Sequence, residues 1–380
     1  MAAARGQAPG LTVGRSRVPL LPERVHIITT GGMKVRMTPE WLLIDTFGGA
    51  EPALIGLGST PKPFVALDRH FKTRRGQRNR SLDDIRSTVL EVMADPHDRP
   101  IDRTTDDGDH RIVAVPLLNS EGRLHGIHLW RGGVSDELPR RDPVGAWHFN
   151  LTAGTASGSE DLFDLYGVAP EDRRSEAALS GAFNRLVTNH DEGQALAKIV
   201  QSEPGTEHQA VWKVRRDDGV ERAAHFSCRM LDERPEPDAP RVVILRGVTH
   251  DIGPAEHVSS APPPVILEHR VLDAVLAPGH YHAYVDLKRL TLIKWRNQPM
   301  PGIAWGNAVG EPKPAIHPDD LPLARAMAKD LAHRKVEGVI RCRGLDGAWK
   351  PLHLSVALMA FDESTHGGLV TVTEAPTVRE

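Results

Sequence analysis

The chain carries nineteen histidines, two cysteines and several aspartate pairs, the residue types from which metal sites, thiol nucleophiles and acid–base pairs are built. Their spacing decides what they can do. His280 and His282, in the triplet HYH, would project from one side of a strand like two ligands to one metal ion, but no third ligand lies nearby in sequence. They read as a polar sheet face. His125 and His128 have the spacing of a helical metal pair, yet their segment alternates like a strand, where three apart means opposite faces. Asp83/Asp84, Asp106/Asp107, Asp217/Asp218 and Asp319/Asp320 all fall at turns or helix starts, where carboxylates cap backbone N–H groups and meet water. Gly56-Leu57-Gly58-Ser59 lacks the GxSxG spacing of a nucleophile elbow. Cys228 and Cys342 form no CxxC pair, fall on predicted strands and read as reduced, half-buried thiols. No catalytic residue and no metal site is assigned, and no enzymatic activity is expected.

One charged run stands out. Arg69–Arg80 (RHFKTRRGQRNR) holds six Lys/Arg in twelve residues and reads as an exposed loop. As a binding surface it would use Arg74, Arg75, Arg78 and Arg80 toward an acidic protein partner. Nucleic acid fits less well, because Phe71 alone could stack on a base.

The elements that position these residues come from a repeat. Leu186–Glu192 (LVTNHDE) and Ile316–Asp320 (IHPDD) are both acidic turns followed by a helix-length segment, an alternating strand, an Asp-Gly turn and a second alternating strand. The Asp-Gly pairs are Asp218-Gly219 and Asp346-Gly347, at nearly equal distances from their acidic turns. A repeat of roughly 120 residues can bury a core of its own, unlike a solenoid repeat. In the third segment Tyr284–Leu287 and Leu290–Trp295 read as a hairpin and Leu321–His333 as a helix with Leu323, Met327 and Leu331 on one face, stopped by Gly338. Leu352, Leu354, Val356 and Leu358 share one face of the strand Trp349–Leu358. In the first segment Val25–Thr29 and Trp41–Thr46 read as strands. Ser81–Ala94 reads as a helix, with Ser81 as N-cap, Asp84 in capping-box position, and Ile85, Val89, Val92 and Met93 as its apolar stripe.

This gives a tail at 1–22, a domain at 23–131, a Pro- and charge-rich joint at 132–143, a domain at 144–253, a joint at 254–264 containing Pro262–Pro264, a domain at 265–373 and a tail at 374–380. The expected class is α+β, with three small domains in tandem, the two repeats each reading as about five strands with short helices and one longer helix. A net charge of −3, with 26% charged and 40% hydrophobic residues, is ordinary for a globular chain and excludes a polyelectrolyte binder. No apolar run is long enough to span a bilayer and no signal peptide is recognisable, so the expected location is the cytoplasm and no membrane contact is expected.

The two repeats resemble PAS domains, and with the first segment read as a sister sensor module the resemblance implies in each domain a central antiparallel sheet of about five strands with helices on one side. The resemblance rests on His317-Pro318-Asp319-Asp320, on the strand–DG–strand blocks followed by Arg222 or Trp349, and on Val248-Thr249-His250-Asp251-Ile252. The second segment departs from the pattern at Asn189, where proline is usual. The hairpin RIVAVPLLNSEGRLHGIHLW of the first segment resembles that of GAF domains, with a third PAS domain as the alternative. The order of the three resembles actinobacterial triple-sensor-domain proteins, a family without an attached effector or established function.

The resemblance implies a non-enzymatic sensor or adaptor that binds a small ligand, a protein partner, or both. No Walker loop, kinase ATP block or GGDEF-like run is present to supply an output, so a partner carrying the output is implied, and homodimers are common in such families. Trp212, Phe226, Tyr284 and Trp295 are the pocket candidates, Tyr284 and Trp295 because the first hairpin borders the PAS cavity. No cofactor is assigned. A haem- or flavin-bearing sensor is the alternative: His333 at a helix end is a haem-ligand candidate, whereas Cys228 and Cys342 sit on strands rather than on the helix a flavin adduct needs. A nucleic-acid-linked regulator using the basic loop is the second alternative.

Overall fold

A computed structural model describes residues 39–71, 80–97, 99–183, 185–186, 192–234, 238–258, 277–296, 298–306, 310–331 and 334–375. Val25–Thr29, Arg74, Arg75, Arg78, Asp191, the triple proline and His333 lie outside the described residues.

The first domain contains β1 (Leu42–Asp45), β2 (Ala53–Leu57), β3 (Thr60–Ala66), α1 (Leu67–His70), α2 (Arg80–Ala94), β4 (Ile101–Thr104), β5 (His110–Leu118) and β6 (Leu124–Gly133). The second contains β7 (Val144–Asn150), β8 (Thr155–Gly158), α3 (Glu160–Tyr166), β9 (Ala177–Ala178), α4 (Leu179–Phe183), α5 (Glu192–Gln201), β10 (Glu207–Arg215), β11 (Glu221–Glu233) and β12 (Val242–Pro254). The third contains β13 (Tyr281–Asp286), β14 (Thr291–Trp295), α6 (Leu321–Asp330), β15 (Val336–Arg343), β16 (Trp349–Ala360) and β17 (His366–Glu374). The fold is α+β and sheet-dominated, with three tandem domains.

The three sheets run β3-β2-β1-β6-β5-β4, β10-β11-β12-β7-β8-β9 and β14-β13-β17-β16-β15. In each, the first strand of the domain pairs with its second on one side and with its last on the other, and the last pairs with the strand before it. The first and second sheets share one strand order, so order does not set the first domain apart from the repeat.

The repeated Asp-Gly turns are the same device. Asp218 Oδ1 accepts from Val220 N and Asp346 Oδ1 from Ala348 N, each at 3.0 Å, while Gly219 (φ 82°) and Gly347 (φ 78°) supply the left-handed residue. In the first domain Asn119 Oδ1 accepts from Glu121 N and Arg123 N, closing the β5–β6 turn in the same way.

Several local expectations are corrected. The helix α2 starts at Arg80, and Asp84, instead of closing a capping box, accepts from Arg131 Nε and Nη2 at 3.0 and 2.8 Å. Ile85, Val89 and Val92 are buried with Thr88, while Met93 is exposed. In α6 the buried face is Ala324, Met327 and Leu331, and Leu323 is exposed, because positions eight apart lie about 80° apart round a helix. The strand position of Gly338 lets β15 approach that helix, since a Cβ there would meet Met327 Sδ at 2.9 Å. Asp320 makes no side-chain cap; its carboxylate takes Arg341 N, Nε and Nη2, which holds it low, at about 2. On β16 Leu352 and Val356 are buried, whereas Leu358 is exposed.

The first and second domains pack sheet against sheet. Leu43, Phe47, Ile55, Leu117, Val144, Ala146 and Val248 form one buried cluster across the joint. Within it Asp45 Oδ2 accepts from Arg229 Nη1 at 3.1 Å, both side chains being almost fully buried. The expected split of His125 and His128 fails here. The register of β5 with β6 shifts between Leu117 and Leu118, leaving His125 as an extra residue. Both rings then reach the second domain: His125 Nδ1 lies 3.2 Å from Gly247 O, and His128 packs on His250 at 6.2 Å between centroids.

Burial pushes the imidazoles of His125 and His225 down to about 3 and that of His128 well below its ordinary value. Burial pushes the Asp45 carboxyl up to about 6, against the pull of Arg229. The unfolded chain therefore gains at least four histidine protons below about pH 6.5 that the fold does not gain, because the buried His208, lowered to about 4, joins these three. Asp45 works the other way, since the fold holds a proton there between about pH 6 and pH 4, but it is one group against at least four. Net stability is full above pH 6.5 and falls as pH drops toward 4.5, by about 4 kcal/mol per pH unit at the steepest. Denaturant unfolding between pH 7 and 4.5 measures this. His225→Phe should reduce the slope by about 1 kcal/mol per pH unit; an unchanged slope contradicts the assignment.

Candidate ligand cavities

Two cavities lie on the helical sides of the second and third sheets. The first measures about 400 Å³, within the range of small-molecule sites. Trp147, Phe149, Phe226, Met230 and Leu245 face it from the sheet, and Leu162, Tyr166, Phe183, Ala195 and Ile199 from α3, α4 and α5. Strand periodicity explains the polar groups among them. His208 and Trp212 occupy one face of β10, opposite Cys228 and Ala224 on β11.

Those polar groups are donors. Lys198 Nζ sits 3.0 Å from His208 Nδ1. An ammonium can only donate, so Nδ1 accepts and the ring proton sits on Nε2. Burial, with the nearby Lys198 charge, lowers the His208 imidazole to about 4, so the ring is neutral at pH 7. His208 Nε2 and Trp212 Nε1 are both buried with no hydrogen-bond partner among the described residues. Leaving such donors unsatisfied costs about 1–3 kcal/mol each, and a bound acceptor removes that cost. Cys228 also lines the cavity, but burial pushes its thiol up to about 12, so it is no nucleophile at neutral pH. Among the described residues no group of three or more His, Cys, Asp or Glu is placed to hold a metal ion. His280 precedes β13, apart from the buried His282.

The second cavity, about 380 Å³, lies between the third sheet and α6, with Trp295 in its wall. Tyr284 lies elsewhere. Ala283 pairs with Trp295 and Tyr284 with Lys294, so Tyr284 and Trp295 point to opposite faces of the sheet. The register shift after Tyr284 leaves Ile293 unpaired as a bulge. Tyr284, Ile293 and Phe361 join the core of the second domain, with Tyr284 edge-on to Phe361 at 6.1 Å. Trp212 and Phe226 line the first cavity, and Arg80 opens α2 on the surface.

Sequence reasoning missed what joins the two domains. Helix α5 lies between the second sheet and the outer face of the third. Ala195, Lys198 and Ile199 face the cavity. Toward the third domain, Glu192 Oε1 accepts from Lys294 Nζ at 2.6 Å, and Gln201 bonds Thr365. Gly193 is required by the close approach, since a Cβ there would lie 2.7 Å from Phe361 O. The signal was in the sequence: Ala195, Leu196, Ala197, Ile199 and Val200 are apolar nearly all round the helix, the pattern of two-sided burial.

Residues 40–140, 143–251 and 265–380 match the N-terminal, middle and C-terminal domains described for Rv3651-like proteins. This chain belongs to the Rv3651-like family. Among solved structures, this Rv3651-like chain is similar to an uncharacterized protein from Mycobacterium tuberculosis, with 26% identity and a TM-score of 0.75 over 89% of this chain and 97% of that one. The N-terminal domain of a diguanylate cyclase with PAS/PAC sensor from Marinobacter aquaeolei shows 20% identity over 30% of this chain and 98% of that one, with a TM-score of 0.24. A sensory box histidine kinase/response regulator from Burkholderia thailandensis shows 15% identity over 35% and 85%, with a TM-score of 0.23. These two share too little of the fold to bear on function. No curated protein matches. No helix among the described residues is long and apolar enough to cross a membrane.

The Lys294–Glu192 pair is 8% and 15% exposed. Lys294→Met strands a buried carboxylate and should cost about 3 kcal/mol in denaturant unfolding. Adding Glu192→Leu should restore most of it. A single-variant loss below about 0.5 kcal/mol contradicts this packing.

Proposed function

We propose that this Rv3651-like chain is a non-catalytic sensor built of GAF- and PAS-like modules, whose middle domain binds a small planar aromatic ligand carrying a hydrogen-bond acceptor. The third domain then reports occupancy to a protein partner. One observation carries the reading: α5 is at once a wall of the first cavity and a bound neighbour of the third sheet. A ligand that shifts α5 must either move the third sheet or break the Lys294 pair and the Gly193–Phe361 contact. The aromatic walls and two unpartnered N–H donors favour an aromatic acceptor over a sugar or a phosphate. The common strand order and the repeated Asp-Gly turns support the GAF and PAS relationship.

Titration of the full chain with 2-naphthol tests the reading. Binding should saturate, be abolished by Ala195→Phe, which fills the cavity, and weaken roughly fivefold with Trp212→Phe, the loss of one hydrogen bond. Hydrogen exchange on the complex should slow in α5 and also in β13 and β14. Protection confined to the middle domain contradicts the relay, and binding unaffected by Ala195→Phe contradicts the site.

A further inference from the structure

The second cavity differs from the first in chemistry. Its wall is largely aliphatic, with Leu292, Met327, Ile340, Leu352 and Val370 among its residues, and Trp295 is its aromatic side chain. Trp295 is 4% exposed, and its Nε1–H is buried with no hydrogen-bond partner among the described residues. Such a cavity is built for an apolar body rather than for water, which needs two to four polar partners.

The mouth supplies a charge. Arg174, Glu176, Glu311 and Lys313 line it. Two of these are engaged with each other, Lys313 with Glu176. Glu311 Oε1 accepts the backbone N–H groups of Trp305 and Gly306. Among the described residues Arg174 hydrogen-bonds only a carbonyl, with Nη1 3.5 Å from Gly306 O, and forms no ion pair. A guanidinium is the side chain best shaped for a carboxylate.

We propose that the third domain is a second ligand site, one that takes an aliphatic carboxylate. The chain fills the cavity under β13–β17 and the head group lies against Arg174. Trp295 Nε1–H remains as a donor within the pocket for an oxygen substituent on the chain. This site is separate from the aromatic cavity of the middle domain, although Arg174, Ala177 and Gly306 line both.

Calorimetric titration of the full chain with decanoate, below its micellar concentration, tests the proposal. Decanoate should bind saturably, and hexanoate more than tenfold weaker, since each methylene taken from water adds roughly fourfold in affinity. Arg174→Gln should weaken decanoate roughly tenfold through loss of a charge-assisted contact. Ala328→Phe, which intrudes from α6, should abolish binding, and Leu354→Phe from the sheet serves where the first variant unfolds. Ala195→Phe, which blocks the other cavity, should leave decanoate binding unchanged. No binding to the folded wild type overturns the proposal, as does binding that survives both cavity-filling variants. Loss of binding with Ala195→Phe places the ligand in the other cavity and also overturns it. So do an unchanged affinity in Arg174→Gln and equal binding of decylamine, which mark partition without head-group recognition.

Discussion

Helix α5 has to be dry on two sides. An amphipathic helix covers one sheet and shows its other face to water, but here Ala195, Leu196, Ala197, Ile199 and Val200 are all buried. One side closes a cavity in its own domain and the other meets the neighbouring sheet through Glu192, Gly193 and Gln201. The second domain is thereby enclosed between its neighbours, with its sheet back to back with the first domain and its helical layer against the third. A chain of three separable modules would have left these surfaces polar. Helix α5 takes part in both the cavity wall and the interface, where α4 also packs on β14 and Ser180 Oγ donates to Trp305 O.

The two interfaces are held differently. Against the first domain the contact is sheet on sheet, apolar around the buried Asp45–Arg229 pair and a group of neutral histidines. Charging those rings inside the fold is costly, which makes this joint vulnerable to acid. Against the third domain the contact is helix on sheet, with Tyr284, Ile293 and Phe361 packed into the core of the second domain beside the Lys294–Glu192 pair.

The α+β class, the three tandem domains and the Asp-Gly hairpins were legible because they rest on local chemistry: period-two alternation, an Asx side chain and a glycine at positive φ. Trp212 and Phe226, named from the sequence as pocket candidates, lie in the lining of the first cavity. What was not legible came from bulges and partners. One extra residue at His125 brought two histidines to the same face, and another at Ile293 accompanies the separation of Tyr284 from Trp295, which alternation alone does not reveal. Asp84 and Asp320 looked like caps, but each found an arginine distant in sequence that outbids a backbone N–H. The two-sided burial of α5 could have been read from its apolar positions, yet a short helix after an acidic turn has an ordinary one-sided reading too.

Coupling between two sites is reciprocal, and that gives the most direct test of the relay through α5. Lys294 holds α5 on the third sheet and does not line the first cavity. The affinity of the full chain for 2-naphthol should therefore change at least fivefold in the Lys294→Met variant, with the fold intact by circular dichroism. An affinity equal to that of the wild type would mean that the cavity and the third domain are independent, and would contradict the account.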